Sequence, residues 1–303
     1  MRDNGSGYRS GFVSIIGRPN VGKSTLLNQI IGQKVAIMSD KPQTTRNKIR
    51  GVYTTDRFQI IFIDTPGIHK PKHRLGEYMV EVALRALREV EVVLHVVDAT
   101  EELGGGEQYI LRTLKEIETP VFLVINKSDQ VEASRIDQIA AEYCRYYDFA
   151  EVVPISALYG DNVPRLLELV AEYLPEGPQY YPPEMVTDQP ERFVVAEIIR
   201  EKVLHLTREE VPHSVAVEIE QLEERKEGLV YIGAVIYTER ESQKGILIGK
   251  GGRMLKEIGQ AAREEVENLL GSKVFLDLWV KVKKDWRRDE IALRNFGYDK
   301  RRI

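Results

Sequence analysis

Short apolar runs alternate with amphipathic stretches over the first 175 residues. Gly11–Ile16, Phe58–Ile63, Glu91–Val97, Pro120–Ile125 and Glu151–Ile155 are rich in Val, Ile and Phe and read as strands. Between them, Ser24–Ile31, Glu77–Arg88, Glu107–Ile117, Ser134–Tyr146 and Pro164–Tyr173 repeat apolar residues at i, i+3 and i+4, the spacing of helices with one buried face. Continuously apolar strands alternating with helices predict an α/β domain, a mostly parallel sheet covered on both faces. Such sheets bind ligands at the carboxyl ends of their strands.

The pattern breaks at Leu174–Glu184 (LPEGPQYYPPE), where four prolines and a glycine leave no room for a helix or a strand ladder. Beyond it the predicted order is a helix (Glu191–His205), strands Ser214–Leu222 and Leu229–Thr238, a glycine-rich turn with a helix (Lys244–Leu270), and a strand (Lys273–Val282). The expected division is a first domain over residues 8–175, a linker over 176–189, a smaller α+β domain over 190–282 and a basic tail over 283–303.

A chain of 303 residues suits about two domains. Its longest apolar runs, such as Val121–Ile125, are strand-sized, and the polar Met1–Ser10 lacks the apolar core of a signal peptide. One cysteine, Cys144, cannot form an internal disulfide or a CxxC zinc site. A cytoplasmic, soluble protein is expected. The net charge of −4 is unevenly spread. Residues 1–50 carry nine basic and two acidic side chains, residues 101–180 six and fifteen, and residues 242–303 fifteen and nine. A basic end on an acidic chain points to a local anionic partner, or else to a solubilising tail.

The chemistry follows the strands. Gly17-Arg18-Pro19-Asn20-Val21-Gly22-Lys23-Ser24, followed by Thr25, fits GxxxxGK[ST] between a strand and a helix. Its glycines turn backbone N–H groups towards phosphate oxygens, and the helix N-terminus adds positive potential. Lys23 would reach the β- and γ-phosphates, and Ser24 would ligate Mg²⁺. Asp64-Thr65-Pro66-Gly67 ends the strand Phe58–Ile63, which sets Asp64 beside the metal and the Gly67 N–H near a γ-phosphate. Asn126-Lys127-Ser128-Asp129 ends the next apolar strand but one. The Asp129 carboxylate can accept both the N1–H and N2–H of guanine, donors that adenine lacks there. Ser156-Ala157 follows the strand Glu151–Ile155 and can offer a backbone N–H to guanine O6. Four such fragments in this order imply a site for GTP and GDP.

The order GxxxxGKS, Thr, DTPG, NKSD, SA resembles the translation-factor-like P-loop GTPases over residues 8–175. The resemblance implies that Thr44 or Thr45, in Pro42-Gln43-Thr44-Thr45-Arg46-Asn47, ligates Mg²⁺ when the γ-phosphate is present; Thr45 is favoured. Many such enzymes carry a glutamine after DxxG to orient the attacking water. Here that position is Ile68, so slow intrinsic hydrolysis is expected. Related GTPases lacking the glutamine often hold K⁺ through an asparagine at the position of Asn20, and K⁺-stimulated turnover is expected; the competing role for Asn20 is to brace the loop.

In the second domain, Ile246, Ile248, Gly249, Lys250, Gly251, Gly252 and Arg253 form a GxxG loop with an apolar rim and two cations. With its flanking elements the segment resembles a type-II KH domain, which grips about four single-stranded nucleotides. Lys283, Lys284, Trp286, Arg287 and Arg288, with Phe296, Tyr298 and Lys300-Arg301-Arg302, interleave aromatics with cations, which suits base stacking and phosphate pairing, or else an amphipathic cap with Trp286 and Ile291 buried. A GTPase with QTTRN and DTPGI followed by such a domain resembles the Era family of bacterial GTPases along nearly the whole chain. That resemblance implies binding near the 3′ end of 16S rRNA, action in 30S subunit maturation, a monomer and no DNA partner. His69 and His73 read as surface residues and His95 as a satisfied core histidine. The rival reading is a signalling or cell-cycle GTPase whose basic end docks protein or the inner face of the membrane. A kinase or helicase does not fit NKSD.

Overall fold

The computed structural model describes residues 7–226 and 228–302. Its first sheet has the order β2-β3-β1-β4-β5-β6. These strands are β1 (Arg9–Ile16), β2 (Ile49–Thr54), β3 (Phe58–Asp64), β4 (Val92–Asp98), β5 (Val121–Asn126) and β6 (Glu151–Pro154). β1 pairs in parallel with β3 and β4, β4 with β5 and β5 with β6, while β2 joins β3 antiparallel at the edge. Helices α1 (Lys23–Ile31), α2 (Arg74–Arg85), α3 (Gly105–Leu114), α4 (Ala133–Cys144) and α5 (Val163–Tyr173) accompany this sheet. Apolar clusters against α1 and α5, and against α2, α3 and α4, bury β3, β4 and β5 completely. Both faces are thus covered, which is why these strands read as unbroken apolar runs.

β2 is an element that the pattern does not announce. Arg50, Gly51 and Tyr53 interrupt its apolar run, and only the ladder to β3 makes it a strand. The proline-rich segment is tied to the first domain: Ser10 Oγ donates to Pro178 O at 2.7 Å, and the Tyr180 and Tyr181 amides donate to Gln59 Oε1 at 2.8 and 3.0 Å.

The second domain contains α6 (Glu191–Leu206), the short α7 (Val211–Ser214), β7 (Ala216–Lys226), β8 (Leu229–Thr238), α8 (Glu241–Ile248), α9 (Arg253–Leu270) and β9 (Lys273–Val282). β7 and β8 are antiparallel, and β8 and β9 parallel. The glycine-rich turn with a helix expected over Lys244–Leu270 comprises the end of α8, the turn where Gly249 leaves helical geometry (φ 71°, ψ 176°), and α9. Residues 283–302 are no loose tail. They form α10 (Glu290–Asn295), and Trp286, Ala292, Leu293 and Tyr298 share a buried cluster with Leu75, Tyr78, Met79 and Val82 of α2. Hydrophobic burial thus fastens the chain's end to the first domain.

Candidate nucleotide cleft and RNA groove

The loop between β1 and α1 is shaped by close approaches. At Gly22 the backbone is left-handed (φ 99°), and a Cβ there would lie 2.1 Å from Asn126 Nδ2. A Cβ on Gly67 would meet Pro19 N at 2.6 Å. Asn126, at the end of β5, donates from Nδ2 to Val21 O at 2.8 Å and accepts at Oδ1 from Ala157 N–H at 2.9 Å. One buried amide thus clamps the phosphate loop to the Ser156–Ala157 loop.

Around the start of α1 the expected metal ligands converge. Ser24 Oγ donates to Asp64 Oδ2 at 2.6 Å and lies 3.0 Å from Thr45 Oγ1, which is 3.4 Å from Asp64 Oδ2. Asp64 Oδ1 is buried with no hydrogen-bond partner among the described residues. Two hydroxyls and a half-satisfied carboxylate form a hard oxygen set that fits a divalent cation such as Mg²⁺. Thr44 lies outside it, its hydroxyl donating to Lys41 O at 2.6 Å. Burial pushes the Asp64 carboxyl up to about 6, opposed by Lys23 and by hydrogen bonds from Ser24 and Thr45. Burial likewise lowers the Lys23 ammonium to about 8, with Asp64 and Glu107 opposing. Lys23 Nζ donates to Arg18 O at 2.7 Å and reaches Gly17 O at 3.4 Å. Asn20, Lys23, Ser24, Thr25, Gln43, Thr45 and Gly67 line a cleft of about 250 Å³.

Other predicted site residues have their side chains committed elsewhere. Val21 is buried in the core, the Thr65 hydroxyl donates to Ile15 O at 2.8 Å, and Arg18 pairs with Glu101 at 2.6 Å. Ile68 packs against Ile16 and Leu87, and its N–H donates to Gly17 O at 3.1 Å, because this position closes the core beneath the loop. The amides expected to meet guanine O6 are both occupied: Ser156 N–H bonds Asp161 O, and Ala157 N–H bonds Asn126 Oδ1. Asp129 is exposed on a 3₁₀ turn, and Lys127 pairs with Asp98 at the end of β4. Asn20 Nδ2 donates to Asp40 O at 2.7 Å, a bracing contact that leaves its amide oxygen unbonded.

The loop around Thr45 is held by the second domain. Arg46 is buried at 1% exposure. Its Nη1 donates to Val215 O at 2.6 Å, and its guanidinium lies 5.7 Å from the Trp286 ring centre. Arg200, also 1% exposed, pairs with Glu197 and donates to Thr44 O. Glu201 accepts from Met38 N–H at 2.9 Å and pairs with Lys34, while His205 Nε2 lies 2.9 Å from Met38 O. Sequence patterning does not single out Arg200 or Glu201, since cation and carboxylate on a helix are ordinarily solvated.

The histidines are less peripheral than the sequence suggests. His73 accepts from Gly76 N–H at 3.1 Å and caps α2; burial and the nearby Arg287 and Arg46 cations lower its pKa to about 4. His69 is half-buried, with Nδ1 2.8 Å from Gly67 O. His95 is fully buried and half satisfied: Nε2 pairs with Glu107 at 2.9 Å, and Nδ1 has no partner among the described residues.

In the second domain Lys250, Gly251 and Arg253 are exposed, and Ile246 is 48% exposed. Ile248 instead leans on the domain core. Between α9 and β9 runs a groove of about 590 Å³ that starts at Gly252, floored by Leu255, Gly259, Leu276 and Leu278, with Lys256 and Arg263 at its side. These groove residues were not predicted; a glycine, Gly259, inside an otherwise continuous helical pattern is the signal that could have found them. The expected RNA-contacting tail is corrected in part. Trp286 has no exposed surface and donates from Nε1 to Ser214 O at 2.8 Å. Arg287 pairs with Glu239, and the Lys283 ammonium lies 5.3 Å from the Phe296 ring centre. Lys284 and Arg288 remain exposed, as does Ile291 at 69%. The Arg302 side chain lies outside the described ones.

Residues 12–127 match the family model described as a 50S ribosome-binding GTPase, and residues 210–287 match that of a KH domain. A crystal structure of Era in complex with MgGDPNP and nucleotides 1506–1542 of 16S ribosomal RNA is 45% identical in sequence. It covers 96% of this chain and 99% of its own at a TM-score of 0.94. A single-residue variant of Era from Aquifex aeolicus, bound to GDP·AlF4⁻, is also 45% identical, with the same coverage and a TM-score of 0.93. Identity at this level over whole chains, joined to the paired GTPase and KH matches, means that the chain belongs to the Era family of GTPases.

Proposed function

We propose that the chain is a GTP-hydrolysing switch that binds 16S rRNA near its 3′ end and acts in maturation of the small (30S) ribosomal subunit. Residues 8–175 form the GTPase domain, 190–282 the RNA-binding domain, and 176–189 the connection. Lys23 and the Gly17–Ser24 amides hold the β- and γ-phosphates, and Asp129 reads guanine. Ser24, Thr45 and Asp64 hold Mg²⁺, which when bound neutralises phosphate charge as the γ-phosphoryl group transfers to water. Ile68 cannot orient that water. Gln43, with its Oε1 buried and unbonded, lines the cleft and is the better placed side chain. The Asn20 amide oxygen would be the group that holds K⁺; equal kcat in matched K⁺ and Na⁺ buffers would leave Asn20 with bracing alone. The setting is cytoplasmic. No helix among the described residues is long and apolar enough to cross a membrane. Within the basic end Arg287, Lys300 and Arg301 are paired to acids, while Lys284 and Arg288 stay exposed.

The carrying observation is Arg46. Thr45 belongs to the oxygen set, and the very next side chain is buried among Val215, Trp286 and Tyr298. A loop rearranged by the γ-phosphate cannot move without disturbing the RNA-binding domain. Nucleotide state and RNA affinity are then linked, provided the two states bind RNA differently. The test is binding of a short single-stranded 16S rRNA 3′-end oligonucleotide with GDP and with a non-hydrolysable GTP analogue. Tighter binding with the analogue, reduced to a common affinity in Arg46→Ala and weakened about tenfold in Gly252→Asp, is expected. Equal affinity in both nucleotide states of the unmodified protein would remove the switch.

A further inference from the structure

A second cleft in the first domain, of about 630 Å³, gathers Lys48, Arg50, Arg85 and Arg88, with Glu89 the acid lining it. Lys48 leads into β2, Arg50 lies on it, and Arg85 ends α2, so the cleft spans the exits of both segments that respond to the γ-phosphate. Some of this charge is answered. Arg50 pairs with Asp188 at 2.6 Å, and Arg85 pairs with Glu81 at 2.7 Å and reaches Lys300 O at 3.4 Å. Lys48 and Arg88 have no carboxylate partner within ion-pair distance among the described residues, and Arg50 Nε is buried without a hydrogen bond. Burial, with Arg50 and then Arg85 close by, pulls the Lys48 ammonium below its ordinary value. Glu89 and Asp188 partly oppose this at Lys48, but Lys48 and Arg88, beside the two paired arginines, leave the concave surface with an excess of positive charge that favours an anion. The cleft also sits where the domains join. Gln189 Nε2 donates to Lys48 O at 3.5 Å, and Thr187 Oγ1 to Arg50 O at 2.7 Å.

We propose that this cleft is an anion site for phosphate groups, filled by the backbone of structured RNA whose single-stranded end lies in the GxxG groove. The inference rests on the RNA-binding reading above. A KH groove grips only about four nucleotides, so a longer RNA must continue over another surface. Lys and Arg contacts to phosphates position RNA without reading its sequence. An anion bridging Lys48 and Arg88 also ties the exit of one switch segment to the end of the other.

The test uses the full chain, a Lys48→Ala/Arg88→Ala double variant, and two RNAs: the short 3′-end oligonucleotide and an extended RNA, nucleotides 1506–1542 of 16S ribosomal RNA. Neither residue belongs to the nucleotide cleft, so basal GTP hydrolysis should be unchanged. The variant should bind the short RNA normally. It should bind the extended RNA about tenfold more weakly at low salt, with the log–log salt slope shallower by about 1 to 2, the loss of one or two phosphate contacts. Lys48→Arg/Arg88→Lys should restore the slope. Equal loss on both RNAs, or no loss on either, overturns the proposal. Titration with inorganic phosphate separates the sources: phosphate binding lost in the variant while the extended RNA is unaffected would make this a small-anion site. Loss of anionic phosphatidylserine vesicle binding with RNA binding intact would overturn it likewise. If the unmodified protein fails to bind even the short RNA, the underlying RNA reading falls, an outcome distinct from all of these.

Discussion

The phosphate loop and the GxxG loop are both glycine-rich turns that open helices, yet they demand glycine for different reasons. A side chain at Gly22 would face a left-handed backbone and also collide with Asn126, and one at Gly17 would lie 2.3 Å from Val96 O. At Gly252 the backbone is left-handed (φ 80°), but nothing lies within 4 Å of the would-be Cβ. The first loop is packed from inside, so its N–H groups are preorganised around an anion. The second is packed only at Gly249, where a Cβ would meet Met254 Cβ at 2.8 Å; at Gly251 and Gly252 it is bare, which leaves room for an RNA backbone to come close. Mutations in the first should therefore damage fold and ligand together. Those at Gly251 and Gly252 should damage chiefly ligand binding, at the modest stability cost of a left-handed backbone.

The largest effect is expected at Gly22→Ala. The clash with the Asn126 clamp should weaken GDP and GTP binding by about 100-fold, the equivalent of ~3 kcal/mol, and lower the melting temperature; fluorescent-nucleotide titration and calorimetry read both. Asn126→Ala comes next. It leaves Val21 O without its donor and Ala157 N–H without its acceptor, and should cost about 2–3 kcal/mol in urea unfolding. Unaltered stability would mean that the clamp is not what makes the phosphate loop rigid. Gly252→Asp should weaken RNA binding about tenfold through charge repulsion, with unfolding changed by roughly 1 kcal/mol, since Asp tolerates the left-handed region. A loss of stability matching that of Gly22→Ala would break the comparison.

The smallest effect is a pH dependence on the nucleotide side. His73 titrates near 4 in the fold against 6.5 unfolded, so the neutral imidazole is the stabilised form. Its contribution is present above pH 6.5 and lost as pH falls through 4. Because the ring is partly exposed, about 1 kcal/mol is expected after screening. Urea unfolding at pH 7 and pH 4 should show this difference in the unmodified protein and a smaller one in His73→Asn, which keeps a capping acceptor but does not titrate. An unchanged difference would assign the acid sensitivity to other groups.

Much of the nucleotide site was legible because its chemistry is local. Gly17–Ser24, Asp64–Gly67 and Asn126–Asp129 each occupy a strand end, and strand ends are read from apolar runs without knowing what packs where. Legibility failed where a side chain's partner is distant in sequence. Trp286 and Arg287, among cations and aromatics, have the composition of a stacking surface, yet Trp286 fills the seam beside α2 and Arg287 answers Glu239. An aromatic that will stack on a base and one that will fill an interface have the same neighbours in the chain. β2 went unread for the converse reason: its edge position supplies the pairing that its mixed sequence does not advertise.

Periodicity and spacing were therefore enough for the two-domain architecture, the phosphate loop, the turn after β5 and the GxxG turn, because each depends on residues within a few positions of one another. The docking of Arg46, the clasp of Arg200 and Glu201 on the loop around Thr45, the burial of Trp286 and the convergence of Lys48, Arg50, Arg85 and Arg88 belong to the folded chain alone. Each joins elements remote in sequence, and whether a charged or aromatic side chain is buried or solvated depends on the surface that folding brings against it.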